Sequence, residues 1–458
     1  MTLAFLFALP AGAQDQTHQN AERLMAAALN SPHGYETLAY LTDDIGPRLS
    51  GSNAAARSVQ WTVEQLRSWG IDAHTEKTMV PHWVRGAERA ELVSHGNQRI
   101  VLTALGGSVA TPAEGITTDV IEADSLDELK TIGRHAIEGK IVYFNNPMDM
   151  DLVRAGRSFE AYGKAVEFRS KGADKAAEFG ARAALIRSVA SDSLRTPHTG
   201  AVKYEGKVRK IPAAALTVED AMLLHRLLEK KEAVRMHLVL TPRTLPDAES
   251  ANVIGEIRGS ERPNEIVLIG AHLDSWDLGT GAIDDGAGVA MVMETMRLIH
   301  ESGLHPRRTI RGVLFMNEEN GGRGGRQYAA DHKDEKHIAA IETDAGAAAP
   351  RGFLTTLKDD ALAALETRMH MLDRVGAAKF DHAEDTGADT RLLIESGVPG
   401  FGLVPDPRHY FDYHHSPADT LDKVDPHELA QNTAALVGLT WELAENGAPA
   451  LAGAPVSH

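Results

Sequence analysis

The run Ile266-Val267-Leu268-Ile269-Gly270-Ala271-His272-Leu273-Asp274 passes abruptly from apolar to polar, and its reading decides the fold. A near-continuous apolar strand of this kind suits a parallel sheet buried on both faces. Downstream, Val289, Val292, Met296 and Ile299 recur at spacings of three and four, which predicts a helix from Gly286 with one apolar face. Further strands are expected at residues 310–316, 338–343 and 398–404, with helical stretches between them. Strands alternating with helices imply an α/β fold, a sheet wound on both faces.

Upstream of this core, residues 21–70 read as helices interrupted by the loop Ile45-Gly46-Pro47-Arg48-Leu49-Ser50-Gly51. Alternating apolar residues over 90–105 suggest strands, and the Gly- and Thr-rich stretch 106–118 looks like a boundary. Residues 110–243 then read as a small α/β module, with strands at 141–144, 184–186 and 213–216 and a helix at 173–179. The expected division is a main unit from residues 14–109 and 244–458 with residues 110–243 inserted.

Composition narrows the function. The 64 Asp+Glu against 47 Lys+Arg give a formal charge of -17, which repels a phosphate backbone and argues against nucleic acid as a partner. There is no cysteine, so any metal must sit on His, Asp and Glu. Residues 3–9 are apolar and lead through Pro10 to Ala11-Gly12-Ala13 before Gln14, which reads as the end of a signal peptide covering residues 1–13, although no basic stretch precedes it. The expected location is therefore periplasmic or secreted. No other stretch is long enough for a membrane span.

In open α/β sheets functional groups collect beyond the C-terminal ends of the parallel strands. Four places qualify here: His272 and Asp274 with Asp284 and Asp285; Glu318 and Glu319; Asp344; and the loop His414-His415-Ser416-Pro417-Ala418-Asp419-Thr420. Each has an ordinary explanation alone. A strand-end His is usually a hydrogen-bonded structural residue, and an Asp just before a helix is usually a cap. Together they would concentrate uncompensated negative charge, which divalent cations relieve. Imidazole and carboxylate without thiolate suit catalytic zinc, and also manganese or cobalt. A pair of metals needs a shared carboxylate, for which Asp284 is the candidate.

In this order and sheet context, His272-Leu273-Asp274, Ile283-Asp284-Asp285, Asn317-Glu318-Glu319, Glu342-Thr343-Asp344 and His415-Ser416-Pro417-Ala418-Asp419-Thr420 resemble the co-catalytic zinc exopeptidases of the M28 type. Residues 45–52, Pro81-His82-Trp83-Val84-Arg85-Gly86 and residues 271–288 resemble the carboxypeptidase Q (plasma glutamate carboxypeptidase) group among them. The resemblance covers nearly the whole mature chain. It implies a doubly wound mixed sheet with a protease-associated domain at 110–243, two zinc ions, a short peptide substrate and a homodimer. It assigns His272 and Asp344 to one zinc, Glu319 and His415 to the other, and Asp284 to both.

Glu318 becomes general base and then acid for a metal-bridging hydroxide, and Asp274 fixes the tautomer of His272. Asp419 organises the loop of His415. Where the glutamate carboxypeptidases place a Tyr before the last His ligand, this chain has His414, so oxyanion or substrate contact falls to His414 or to Tyr410, with Tyr413 nearby. Rival readings on the same fold are an inactive binding protein and a single-zinc glutaminyl cyclase. A serine hydrolase finds no G-x-S-x-G elbow, and the H-E-x-x-H helix is absent.

Overall fold

The computed structural model describes residues 11–192, 194–206 and 208–449. The apolar run at 3–9 lies outside these residues, and Ala11 opens a helix, Ala11–Leu29. Among the described residues no helix is long and apolar enough to cross a membrane.

The described strands form two eight-stranded sheets. The first runs in the order Asp72–Val84, Arg243–Ile257, Arg308–Phe315, Arg262–His272, Lys336–Glu342, Gly400–Pro405, Pro350–Thr355 and Phe380–His382. Its four central strands, Arg308–Phe315 through Gly400–Pro405, are parallel, and the outer strands make it mixed. Alternation along Arg262–His272 serves both faces. Val267 and Ile269 join a core with the helix Ala287–Glu301, while Leu268 joins a smaller one with Tyr328 and Leu393. The expected helix from Gly286 is thus present, and it is covered in turn by the helices Ala11–Leu29 and Pro426–Asn446.

The second sheet contains Gln98–Ile100, Glu88–Leu92, Arg235–Leu240, Ile116–Ala123, Ile141–Phe144, Ala183–Arg187, Ala213–Leu216 and Leu102–Ala104, in that order. Three strands between residues 88 and 104, ahead of the expected boundary at residue 110, pair within the second sheet. The Gly- and Thr-rich stretch is a loop followed by the start of the strand Ile116–Ala123 of that sheet. The passage between sheets is instead an antiparallel ribbon, Asp72–Val84 against Arg243–Ile257, whose register runs from Asp72 opposite Glu256 to Val84 opposite Arg243. In sequence the two strands of the ribbon lie about 160 residues apart and each reads as an ordinary strand, so neither marks a passage between sheets.

Candidate metal centre

The parallel strands Arg308–Phe315, Arg262–His272 and Lys336–Glu342 end in step, so His272, Glu318, Glu319 and Asp344 emerge at one edge of the first sheet. Asp284 and Asp285 come from the turn before the helix Ala287–Glu301 and are joined by a cis peptide bond. His414 and His415 follow the strand Gly400–Pro405, parallel to Lys336–Glu342.

Asp284 stands between two histidines. Its Oδ1 lies 3.1 Å from His272 Nε2 and its Oδ2 lies 3.1 Å from His415 Nε2. Asp344 Oδ1 is 3.5 Å from His272 Nε2, and Glu319 Oε2 is 2.9 Å from His415 Nε2. The five residues assigned by resemblance therefore fall into two groups that share Asp284.

The donor set fits cations. His272 Nδ1–H donates to the backbone carbonyl of Asp274 at 2.9 Å, which leaves the Nε2 lone pair facing two carboxylate oxygens. His415 Nδ1 faces the Thr199 carbonyl at 3.4 Å, and its Nε2 likewise faces Asp284 and Glu319. In the neutral imidazoles acceptor faces acceptor, an arrangement that a cation between them satisfies; without one, a proton on Nε2 must do so. Burial opposes protonation of His272, but Asp344 and Asp284 outweigh it and hold the imidazole well above its ordinary pKa. At His415 burial prevails over Asp284 and pushes the pKa down. Burial, reinforced by the charge of Asp284, pushes Glu319 well up, and burial also raises Asp344.

Glu318 is partly exposed to the cavity, and burial together with the neighbouring Asp344 and Asp284 pushes it up to about 8. Asp274 departs from the expected part. Its carboxylate Oδ1 lies 3.9 Å from His272 Nδ1 and instead accepts the backbone N–H of Asn317 at 2.6 Å and of Glu318 at 3.0 Å. The tautomer of His272 is set by the Asp274 carbonyl, while the Asp274 side chain orients the turn that carries the base. Asp285 is structural, accepting from His272 N and Gly288 N. Asp419 Oδ1 takes the N–H groups of Ala282 and Ile283, so it ties the His415 loop to the Asp284 loop.

His414 stacks on His415 with ring centroids 3.5 Å apart, and its Nε2 is 3.5 Å from Asp284 Oδ2. Tyr410 is buried beside it, centroids 5.1 Å apart. Both line a cavity of about 670 Å³ that also contains Asp284, Glu318, Glu319 and Asp344. Tyr413 borders a separate pocket.

Sequence reasoning missed three contributions. Arg48 is fully buried and donates to the carbonyls of Leu41, Gly46, Leu273, Thr280 and Gly281, which fixes the loop between His272 and Asp284. Trp276 donates its backbone N–H to Glu319 Oε1 at 3.0 Å. The second unit closes the cavity with Phe159, Tyr162 and Arg169, and clamps the His415 loop through Ser191, His198 and Thr199. Arg48 and Trp276 lie in segments 45–52 and 271–288 that carry the family resemblance, but nothing there gives them a role, and nothing in the sequence around the residues of the second unit separates them from ordinary loop and helix positions.

Residues 252–440 match the model of peptidase family M28. The chain is 40% identical to carboxypeptidase Q of Bos taurus over 406 residues, which covers 88% of this chain and 83% of the relative. The crystal structure of a peptidase M28 precursor from Shewanella amazonensis SB2B superposes with a TM-score of 0.91 at 40% identity, covering 94% of this chain and 98% of that one. A zinc aminopeptidase of Bacillus subtilis shares the fold at a TM-score of 0.65 and 20% identity, over 90% of this chain and 95% of its own. On the strength of the 40% identity sustained over most of both chains, this protein belongs to peptidase family M28.

Proposed function

We propose that this chain is a two-zinc exopeptidase that hydrolyses dipeptides or other short peptides. The observation that carries the reading is the placement of Asp284, whose two oxygens address His272 and His415 separately. His272 and Asp344 would hold one zinc, Glu319 and His415 the other, and Asp284 both. Bound there, zinc supplies Lewis-acid polarisation of the scissile carbonyl and makes water a better nucleophile near neutral pH.

The chain's own groups do the rest. Glu318 Oε accepts the proton of the attacking water and returns it to the departing amine nitrogen, serving as base and then acid. Asp274 keeps Glu318 in place through the backbone N–H groups of Asn317 and Glu318. His414 and Tyr410 line the cavity beside these groups and are the candidates for contact with the tetrahedral oxyanion, while Phe159 and Tyr162 line it from the second unit.

Glu318→Gln should retain two zinc ions per chain by native mass spectrometry while kcat falls about 100-fold or more. Asp284→Asn should lose zinc as well as turnover. A Glu318→Gln enzyme of near-normal activity would sink the assignment, and a single zinc would favour a cyclase-like centre. A panel of dipeptides, N-blocked dipeptides and aminoacyl-anilides separates dipeptidase from aminopeptidase. The same reading takes residues 1–13 as an export signal, residues 110–243 as the core of a protease-associated domain and the chain as a homodimer. Amino-terminal sequencing of exported protein should begin near Gln14, and sedimentation should give twice the mass of the chain so processed.

A further inference from the structure

The second sheet carries a groove at the end away from the metal centre. Its strands Ile116–Ala123, Ile141–Phe144, Ala183–Arg187 and Ala213–Leu216 run parallel, and the segment that clamps the loop of His414 and His415 follows the C-terminal end of Ala183–Arg187. At the opposite ends, the residues leading into Ile116, Ala183 and Ala213 surround a groove of about 450 Å³. Its apolar lining comes from Val109, Pro112, Ile116, Ile211 and Pro212. The charged side chains along it are Arg182, Arg209 and Lys210, all three exposed.

Two features separate this groove from ordinary surface. The first is charge. The chain has 64 Asp+Glu against 47 Lys+Arg, and on the same unit the exposed Arg157 and Lys164 share Glu160 while Lys171 pairs with Glu167. Among the described residues no carboxylate pairs with Arg182, Arg209 or Lys210, and none lines the groove; Lys210 rests over the ring of Tyr204, 5.2 Å from its centroid. Three like charges around one depression favour an anion among them. The second feature is rigidity. One wall is pinned by Thr111 N–H, which donates to the Leu240 carbonyl at 2.9 Å, and by Gly115 N–H, which donates to the Pro112 carbonyl at 2.8 Å. The other is pinned by the Tyr204 hydroxyl, which donates to the Ile211 carbonyl at 2.5 Å, and by the Pro212 carbonyl, which accepts from Ala184 N–H at 2.9 Å. The depression is thus formed before any ligand arrives.

We propose that this groove binds an aliphatic carboxylate, its charge on Arg182, Arg209 and Lys210 and its chain on Val109, Ile116 and Ile211. An acidic peptide also carries negative charge, but each of its residues brings an N–H and a carbonyl that need partners. Apart from the three cations, no side chain lining the groove can form a hydrogen bond. A hydrocarbon chain needs apolar surface alone. This inference goes beyond the peptidase reading and does not rest on it.

The test is calorimetry on the zinc-loaded protein with octanoate, decanoate, octanol and tetraglutamate, in wild type and in Arg182→Met/Arg209→Met, which keeps apolar stems without the charges. Wild type should bind one octanoate per chain, about tenfold more tightly than octanol. Decanoate should bind about 15-fold more tightly than octanoate, because each further buried methylene contributes roughly fourfold. The double variant should lose about tenfold on octanoate and keep its affinity for octanol. Octanol that matches octanoate, or decanoate that matches octanoate, overturns the proposal. So does wild-type affinity for octanoate in the double variant, which would place the carboxylate elsewhere, on the zinc ions for instance. No binding of octanoate or decanoate also overturns it, and tetraglutamate binding in their stead would give the groove to an acidic polypeptide.

Discussion

At the level of single residues, Arg48 and Asp419 act on the same stretch of chain from opposite chemical sides. Arg48 donates to the carbonyls of Thr280 and Gly281, and Asp419 accepts the N–H groups of Ala282 and Ile283, so the approach to Asp284 has both kinds of backbone group satisfied. Arg48→Met would leave buried carbonyls unpaired, and it should cost about 3 kcal/mol or more of stability, read as a lowered urea midpoint together with reduced zinc content. An unchanged midpoint would show that water replaces the guanidinium. His272, Glu318, Glu319 and Asp344 were legible because they follow the ends of apolar runs, and Asp284 and His415 through the resemblance of the segments around them. Arg48 was not, since an arginine in a Gly- and Pro-rich loop resembles a surface residue until the chain folds over it. The carboxylate of Asp274 was assigned to the wrong neighbour for a related reason: two residues from His272 is within reach of the imidazole, but the backbone carbonyl gets there first.

Among elements, the decisive contact is between the segment 191–199 of the second unit and the loop carrying His414 and His415. His198 Nδ1–H donates to the His414 carbonyl at 2.7 Å, Thr199 N–H donates to the His415 carbonyl at 2.9 Å, and Ser191 Oγ–H donates to Asp412 at 2.5 Å. His415 sits at a φ of +60°, a conformation that neighbouring contacts must maintain in a non-glycine residue. His198→Ala should therefore weaken zinc at the His415 side about tenfold in chelator competition, with the His272 side less affected. Equal loss at both would point to general unfolding.

A second contact works through Trp276, whose ring leaves no space over Gly106: a Cβ there would lie 1.9 Å from the indole Cη2. Gly106→Ala should destabilise by about 1–3 kcal/mol and, by shifting the N–H that serves Glu319, reduce zinc retention; normal retention would detach the tryptophan from the metal edge. Strand and helix periodicity made the parallel core readable in advance. The strands over 90–105 were readable from their alternation, but their place in the second sheet was not, because alternation does not say which sheet a strand joins.

Across the whole molecule, the edge of the first sheet remote from the metal centre carries its own ionic network. His332 Nε2 lies 3.0 Å from Glu76 and its Nδ1 3.0 Å from Glu335, with Arg311, Tyr328 and His337 packed around them. Burial opposes charge on His332, but the bond to Glu76 outweighs it and raises its pKa; burial opposes charge on Glu76 too, and His332 lowers its pKa nonetheless. The raised His332 contributes stability that is complete below about 6.5 and lost as pH rises through its folded value. The depressed Glu76 contributes above about 4.5 and loses its share as pH falls. The stability difference between wild type and Glu76→Gln should be largest between these limits and shrink towards pH 8, while the NMR titration of His332 moves down in the variant. A difference that grows with alkalinity would contradict the pairing.

The ribbon that joins the two sheets has an architectural corollary. Val84 and Arg243 are register partners, so their Cα atoms are about 5 Å apart and a two-residue turn could bridge them. A chain shortened in this way would keep every candidate ligand of the metal pair on its original strand ends. It would also be stripped of the carbonyl that steers His415 and of the guanidinium facing the cavity. In engineering terms, residues 85–242 leave and rejoin the first sheet at one point, so the strands that bear the candidate ligands and the segments that brace them from outside occupy separable lengths of chain.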